Sequence, residues 1–182
     1  TLFNALTGMS QHTGNWAGKT VEIAEGDCKF SGKHYKFVDI PGTYSLSSRS
    51  PEERVAEEYI RDGDADVVVL VVDATRFRAC VPLLLEITAI AESCVLCLNF
   101  ASIAERRGAV LDEVLLESIF GIPVVKVDAR GKRGLDDLLG AIDRAKGGTP
   151  RRLIIKSGAD RMAFTDDLFI TYPQLAVDEY PA

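Results

Sequence analysis

The sequence predicts an α/β fold in which helices cover both faces of a doubly wound, mostly parallel sheet. Residues 66–73 form an unalternating run of β-branched and apolar side chains between two aspartates, as expected of a parallel strand that is covered on both faces. After this run, helix-like and strand-like segments alternate along the chain, which is typical of a parallel α/β sheet. Helices are predicted at 82–91, 111–120 and 135–145, and strands at 94–99 and 124–128.

The first forty residues predict a helix, a polar loop and a β-hairpin. Residues 1–7 have apolar side chains on one helical face and Gly8 as a stop signal. Residues 9–18 are rich in Gly, Ser, Thr and Asn, which favours a loop. Two strands follow as a hairpin; they cover residues 20–25 and 34–39, with the turn around Ser31 and Gly32.

A helix from residue 51 to Tyr59 is predicted by its start signals. Ser50 is a suitable N-cap, Pro51 fits the first helical position, and Glu53 completes a capping box. The main domain is predicted to cover 1–146. Residues 147–182 begin with a Gly-rich linker and lose the alternation, so they predict either a short strand at 153–155 with irregular structure or the start of a helical appendage.

Composition narrows the functional classes. The chain has 182 residues, 47% of them hydrophobic, and a net charge of −6, which fits a soluble globular domain and disfavours a broad nucleic-acid surface. The longest apolar run, 67–72, is too short to cross a bilayer.

The four cysteines lack a disulfide spacing. Cys94 and Cys97 lie three apart in a predicted strand and so face opposite sides, which favours buried reduced thiols in a reducing compartment over a metal clamp.

Polar residues follow three of the predicted strands, where ligands bind in open α/β sheets. Asp39 and Gly42 form a D-x-x-G pattern, in which the carboxylate can hold Mg²⁺ through water and the glycine N–H can approach a terminal phosphate. Asn99 ends the next such strand. An Asp-Ala-Arg turn, 128–130, follows the one after. Each alone is common in turns, but their order along the chain is the layout of a GTPase domain.

Several stretches resemble the G-domain of the ferrous iron transport protein B (FeoB) family, a Ras-like P-loop GTPase fold. They are TLFNALTG at 1–8, QHTGNWAG at 11–18, TVE at 20–22, VDIPGTYSL at 38–46 and SPEE at 50–53. The resemblance continues through VVDAT at 71–75 and GIPVV at 121–125 to about residue 142.

The resemblance implies binding of GTP and GDP with Mg²⁺, and a place at the cytoplasmic face of the bacterial inner membrane beside a membrane-embedded remainder that carries ferrous iron. Thr20 is implied as the Mg²⁺-sensing threonine and Asp39 as the second metal-site residue. The implied nucleotide-binding residues are Gly18, Lys19, Thr20, Val21 and Glu22 in the first switch, Asp39, Ile40, Pro41 and Gly42 at the second, and Asn99, Ser102, Asp128, Ala129 and Arg130 at the base.

The sequence departs from the family at the phosphate loop. The pattern G-x-x-x-x-G-K-[ST] must follow a strand and open a helix, and this sequence contains no such segment. Residues 14–20 imitate it, but they are one residue short and precede a strand, which makes Lys19 a solvated switch residue. The phosphate loop and its strand are expected to end immediately before Thr1.

A second departure lies in base recognition, where the family has N-M-x-D and this chain has Asn99-Phe-Ala-Ser102. A serine hydroxyl replaces a charged acceptor of two hydrogen bonds, so guanine selectivity is expected to weaken, and Ser102→Asp to strengthen GTP binding. Asp128, where the family has serine, is a candidate to replace the lost acceptor. Thr43 stands where Ras-like enzymes often have a water-orienting glutamine, so hydrolysis is expected to be slow.

The preferred hypothesis is a GTP-dependent switch that passes its motion to a membrane iron pathway. Two alternatives remain open: a degenerate G-domain that acts as an interaction module, and an ATP-using P-loop protein. The fold also predicts a slot between residues 36–39 and 67–73, which a preceding strand, residues 153–155, or a strand swapped from a second copy would fill.

Overall fold

The computed structural model describes residues 2–8, 11–15, 22–40, 51–61, 65–147, 155 and 157–176. Their strands form two three-stranded sheets. The strands are β1 (Gln11–Asn15), β2 (Glu22–Phe30), β3 (Lys33–Asp39), β4 (Val68–Asp73), β5 (Cys94–Asn99) and β6 (Val124–Val127). The helices are α1 (Leu2–Thr7), α2 (Pro51–Arg61), α3 (Phe77–Ile90), α4 (Ala101–Arg106), α5 (Glu113–Phe120), α6 (Leu135–Gly147) and α7 (Gly158–Thr171), with short 3₁₀ turns at Ala74–Arg76, Ala129–Gly131 and Pro173–Leu175.

The parallel sheet has the order β4-β5-β6, with helices on both faces, which confirms the predicted fold class. Alternate side chains of β5 pack into two separate apolar clusters, because successive residues of a strand face opposite sides. One cluster joins Leu96 and Leu98 to α3, α5 and α7, and the other joins Val95 and Cys97 to α6. All six residues of β5 are buried, so it is the centre of this sheet.

The antiparallel sheet has the order β1-β2-β3. Ser31 and Gly32 form the two-residue turn between β2 and β3, with φ of 49° and 77°, the left-handed pair that a type I′ hairpin needs. The predicted hairpin is therefore confirmed, although β2 extends to Phe30. The predicted loop at 9–18 is wrong over Gln11–Asn15, which pairs antiparallel with β2. Backbone pairing along an available strand edge outweighs the low strand propensity of these polar residues.

Helix α3 begins five residues before its predicted start at Pro82. Asp73 caps the preceding 3₁₀ turn by accepting a hydrogen bond from the backbone N–H of Thr75 at 2.9 Å. The buried side chains of Phe77 and Val81 then fix the first turn of α3 against the core. Pro82 thus lies inside the helix rather than at its first position.

Helix α7 packs against α3 and completes the first apolar cluster. Ser157 caps it by accepting a hydrogen bond from the N–H of Asp160 at 3.1 Å. The rings of Phe77 and Phe169 meet edge to face with centroids 6.1 Å apart, and Phe77 meets Phe120 in the same way at 6.3 Å. Leu153 and Ile154 of the strand predicted at 153–155 lie outside the described residues; Ile155 packs against this cluster.

A groove separates β3 from β4. Among the described residues, β3 pairs only with β2 and β4 only with β5, so each presents a backbone edge at the predicted slot. The groove has a volume of about 470 Å³. Its walls come from β3, β4, α1, α2 and α3, and residues Asp39, Ile40, Asn99 and Phe100 lie along it. None of the described helices is long and apolar enough to cross a membrane.

Candidate functional site

The candidate site lies at the carboxyl edge of the parallel sheet. Asp73 is aligned with Asn99, and Asn99 with Val127, in the register of the three strands. Asp128 follows directly. Because the strands are parallel, the polar residues that end them meet at one edge, which is where ligands bind in open α/β sheets.

Asn99 ties the end of β5 to the turn that follows β6. Its side chain is buried, and Oδ1 accepts a hydrogen bond from the backbone N–H of Ala129 at 3.3 Å. A buried carboxamide needs such partners because an unpaired polar group in the interior is costly. Phe100, the next residue, has a left-handed φ of 61° and turns the chain into α4.

Ser102, Asp128 and Arg133 form a hydrogen-bonded cluster beside Asn99. The hydroxyl of Ser102 donates to Oδ2 of Asp128, and the backbone N–H of Ser102 donates to Oδ1 at 3.3 Å. Nη2 of Arg133 lies 3.2 Å from Oδ2 of Asp128 and donates to Oγ of Ser102 at 3.1 Å. The carboxylate is 17% exposed, whereas the arginine side chain is 69% exposed. A shielded anion is therefore covered by a solvent-facing cation.

The turn from Asp128 to Gly134 is shaped by its own backbone. Asp128 and Arg133 exchange two backbone hydrogen bonds at 3.2 and 3.3 Å, and the N–H of Gly131 donates to the carbonyl of Asp128 at 3.0 Å. Gly134 has a φ of 74°, and a Cβ there would lie 2.2 Å from the carbonyl oxygen of Lys126. Only glycine fits this position, which brings α6 close to β6.

The phosphate and metal end of the predicted site is described only in part. Asp39 ends β3 with an exposed side chain, and Ile40 packs partly against the core. Glu22 lies in β2, opposite Asn15. The predicted residues Gly18, Lys19, Thr20, Val21, Pro41 and Gly42 lie outside the described residues.

The donor set at this end fits Mg²⁺ held through water. Asp39 offers a solvent-accessible carboxylate, a hard oxygen donor of the kind Mg²⁺ prefers, and Mg²⁺ usually keeps several of its own waters. The described residues contain no group of three or more His, Cys, Asp or Glu side chains arranged to hold a metal directly. Asp39 and Asn99 both line the groove, so the predicted metal and base ends lie along one cavity.

Ala129 and Arg130 occupy the 3₁₀ turn that follows Asp128. Ala129 is buried and supplies the N–H that Asn99 accepts, whereas Arg130 is exposed. Sequence reasoning missed Arg133, which contacts both Ser102 and Asp128. The available signal was a basic run, Arg-Gly-Lys-Arg, at 130–133, but such a run usually indicates a solvated turn.

Cys94 and Cys97 are not part of the site. Cys94 belongs to one apolar cluster and Cys97 to the other, which confirms that the two face opposite sides of β5. Burial raises the pKa of each thiol to about 12. Neither thiol therefore has an appreciable thiolate fraction at neutral pH, and a thiolate is what metal binding requires.

Comparisons with known proteins agree with this geometry. The family described as "Ferrous iron transport protein B" matches residues 1–142. The Fe(2+) transporter FeoB of Salmonella typhimurium is 41% identical over 148 residues, and that of Escherichia coli K12 is 40% identical over 150. These alignments cover 79% and 80% of this chain but 19% of each relative. The chain thus spans about a fifth of the length of the curated relatives it matches.

Solved structures give the same result. The G domain of the Thermotoga maritima FeoB iron transporter superposes with a TM-score of 0.73 at 38% identity, covering 79% of this chain and 88% of that one. The cytosolic domain of the same transporter in its GMPPNP form gives a TM-score of 0.79 at 37% identity, covering 85% of this chain and 62% of the other. The FeoB G-domain of Methanococcus jannaschii gives 0.70 at 37% identity, with coverages of 81% and 89%.

Proposed function

We propose, from the premise that this chain belongs to the ferrous iron transport protein B family, that it is a G-domain switch that binds GTP and GDP and hydrolyses GTP slowly. The observation that carries the proposal is the meeting of Asn99, Ser102 and Asp128 at the carboxyl edge of the sheet. Relatives of this fold have been solved in GDP and GMPPNP forms. Here the base would lie beside Asn99 and the turn at 128–130.

The switch chemistry depends on the far end of the groove. The proposal places Asp39, Ile40, Pro41 and Gly42 beside the terminal phosphate, and Gly18 to Glu22 in the other switch loop with Thr20 on the metal. Mg²⁺, when bound, would neutralise charge between the phosphates. Loss of the terminal phosphate would remove the contacts that order these segments. Because Thr43 cannot orient water as glutamine does, hydrolysis would be slow.

The cargo and location of the whole protein are inferred from its relatives. Since those relatives are Fe(2+) transporters of which the aligned segment makes up 19%, we place this domain at the cytoplasmic face of a bacterial membrane. Ferrous iron would pass through a membrane-embedded remainder, and the domain would report the nucleotide state to it.

The groove between β3 and β4 supports a separate proposal about partners. Two β-strand edges face each other across it, and unpaired backbone groups that become buried cost about 1 to 3 kcal/mol each. We propose that one more strand pairs with both edges. Residues encoded before Thr1, residues 153–155 and a strand exchanged from a second copy are the three candidates. Light scattering distinguishes the exchanged strand, because it alone requires a dimer.

One observation favours the alternative of an interaction module with weak nucleotide binding. Arg133 already forms an ion pair with Asp128. The carboxyl edge of the sheet, where the base would lie, therefore presents a paired carboxylate rather than a free hydrogen-bond acceptor. An ATP-binding role has less support, because the carboxylate at this edge would face an acceptor nitrogen of adenine.

Titration of the longest form that the gene encodes with fluorescent GDP, followed by competition with unlabelled GTP and ATP, tests the proposal. A switch domain binds GDP at micromolar or tighter concentration and releases it to GTP but not to ATP. Equal competition by ATP would favour an ATP-binding protein. If neither nucleotide binds, the interaction module would be the remaining hypothesis.

A further inference from the structure

The cluster of Ser102, Asp128 and Arg133 contains more than the turn requires. The backbone bonds between Asp128 and Arg133 already close this turn, so the Asp128 carboxylate is not needed to shape it. That carboxylate instead points to Ser102 and accepts from both its N–H and its hydroxyl. Asp128 therefore places a negative charge at the carboxyl edge of the parallel sheet, where the base would lie. This charge comes from the end of β6 rather than from α4.

Arg133 lies over the Asp128 carboxylate but is held there only weakly. Its guanidinium reaches Asp128 and Ser102 through a single nitrogen, Nη2, and the side chain is 69% exposed. An ion pair whose cation is largely exposed contributes little to stability. The arginine can thus leave at small cost, whereas Asp128 stays anchored by Ser102.

We propose that Asp128 is the base-selecting carboxylate of this domain and that Arg133 is a displaceable cover over it. The inference rests on the proposed function and deepens it. Guanine presents two adjacent N–H donors, at N1 and the 2-amino group, and a carboxylate accepts from both. Adenine presents an acceptor nitrogen at the same edge, which a carboxylate repels. Xanthine has a carbonyl oxygen in place of the 2-amino group and needs a donor there.

The contact between Ser102 and Asp128 also changes what substitution at Ser102 does. From the sequence alone, Ser102→Asp is expected to strengthen GTP binding. In the structure the hydroxyl of Ser102 touches Oδ2 of Asp128, so this change places two carboxylates together, and like charges at such a distance repel. The single change should weaken guanine binding. The exchange Ser102→Asp with Asp128→Ser keeps one carboxylate and one hydroxyl across the same contact.

The test is competition binding of GDP, XDP and ADP to the longest form that the gene encodes. The variants are Asp128→Asn, Arg133→Gln and the double exchange, with Arg107→Gln as the control because it is an exposed arginine at the end of α4. Asp128→Asn should lower the preference for GDP over XDP by about tenfold or more, since its amide donates where the carboxylate accepted. Arg133→Gln should tighten GDP a few-fold, and Arg107→Gln should change nothing.

Each outcome of this binding assay either supports or overturns the proposal. An unchanged GDP-to-XDP ratio in Asp128→Asn, with GDP still bound, overturns the role of Asp128 and leaves the proposed function standing. Weaker GDP binding in Arg133→Gln overturns the cover. Absence of nucleotide binding by the unsubstituted protein overturns both the proposed function and this inference. Should Asp128→Asn fail to fold, the double exchange carries the test, because it must keep the preference for GDP within a few-fold if a carboxylate at this contact selects the base.

Discussion

Ser102 and Asp128 share a carboxylate–hydroxyl contact across the carboxyl edge of the parallel sheet, and the backbone N–H of Ser102 adds a second bond at 3.3 Å. The two residues come from α4 and from the end of β6, 26 positions apart. The register that aligns Asn99 with Val127 brings them together. The negative charge at this edge is therefore carried by β6 and held in place by α4.

The turn that presents Asp128 depends on Gly134. Gly134→Ala should destabilise the protein by about 2 to 4 kcal/mol, because the new Cβ meets a backbone oxygen and the φ of 74° is strained for alanine. Chemical denaturation measures the change in the free energy of unfolding. Gly140→Ala in α6 is the control: its Cβ would meet only a guanidinium nitrogen of Arg144, at 3.9 Å, which is an ordinary contact, and alanine should stabilise the helix by about 0.5 to 1 kcal/mol. Equal effects of the two changes would contradict the described turn.

The attachment of α7 to α3 depends on a largely buried ion pair. Arg161 Nη2 and Glu86 Oε1 are 2.9 Å apart, with side chains 17% and 12% exposed. Arg161→Ala should cost about 1 to 3 kcal/mol, because it removes a largely shielded ion pair together with the packing of the arginine stem. Asp166→Ala breaks an exposed pair with Arg78 between the same helices and should cost at most about 1 kcal/mol. Similar losses in thermal and chemical denaturation would show that α7 is not packed as described.

The hairpin is tied to α6 by a pH-dependent contact. Asp143 accepts from Lys33 at 2.6 Å and from Tyr35 at 3.0 Å, and the hydrogen bond from Lys33 is the largest cause that holds the pKa of this carboxyl below its usual value. A lowered folded-state pKa stabilises the fold above the unfolded pKa of about 3.9, and this stabilisation is lost as pH falls through the folded-state value.

Asp143→Asn should therefore lower the free energy of unfolding near neutral pH and have a shrinking effect as the pH falls below about 4. Urea denaturation across this range provides the measurement. Asp27→Asn on the same hairpin, where an exposed Asp27 faces an exposed His34, is the control and should have little effect. An effect of Asp143→Asn that is constant with pH would mean that the contact contributes by shape rather than by charge.

The prediction for Thr20 concerns the first switch, which lies outside the described residues. Thr20→Ala should weaken the Mg²⁺-dependent ordering of the switch and slow GTP hydrolysis, while GDP affinity stays nearly unchanged, because the threonine is expected to sense the metal only in the GTP state. Parallel titrations with GDP and a non-hydrolysable GTP analogue measure this difference. An equal loss for both nucleotides would make Thr20 a structural residue.

The sequence predicted the parallel sheet well because its strands are buried on both faces and carry an uninterrupted apolar signal. β5 is buried along its whole length, and no other element type fits so short and apolar a run between turns. β1 escaped prediction for the opposite reason. Its residues have low strand propensity, and its conformation comes from pairing with β2, which only the tertiary fold provides.

The candidate site was predictable where residue type and strand position coincide. Asn99 and Asp128 each end a strand, so the sequence could place them at one edge. Arg133 could not be assigned, because its contact with Asp128 depends on the turn that Gly134 permits. The sequence alone and the proposed role of Asp128 predict opposite effects of Ser102→Asp on guanine binding, because the second prediction depends on a contact between residues far apart in the chain.

A crystal structure of the longest form that the gene encodes, grown with GDP and Mg²⁺, would show whether Asp128 contacts the base. We expect the base at the carboxyl edge between Asn99 and the turn at 128–130, with its N1–H and 2-amino group about 3 Å from the Asp128 carboxylate and the Arg133 guanidinium displaced. A base bound elsewhere, or GDP in place with Arg133 still paired to Asp128, would contradict this expectation.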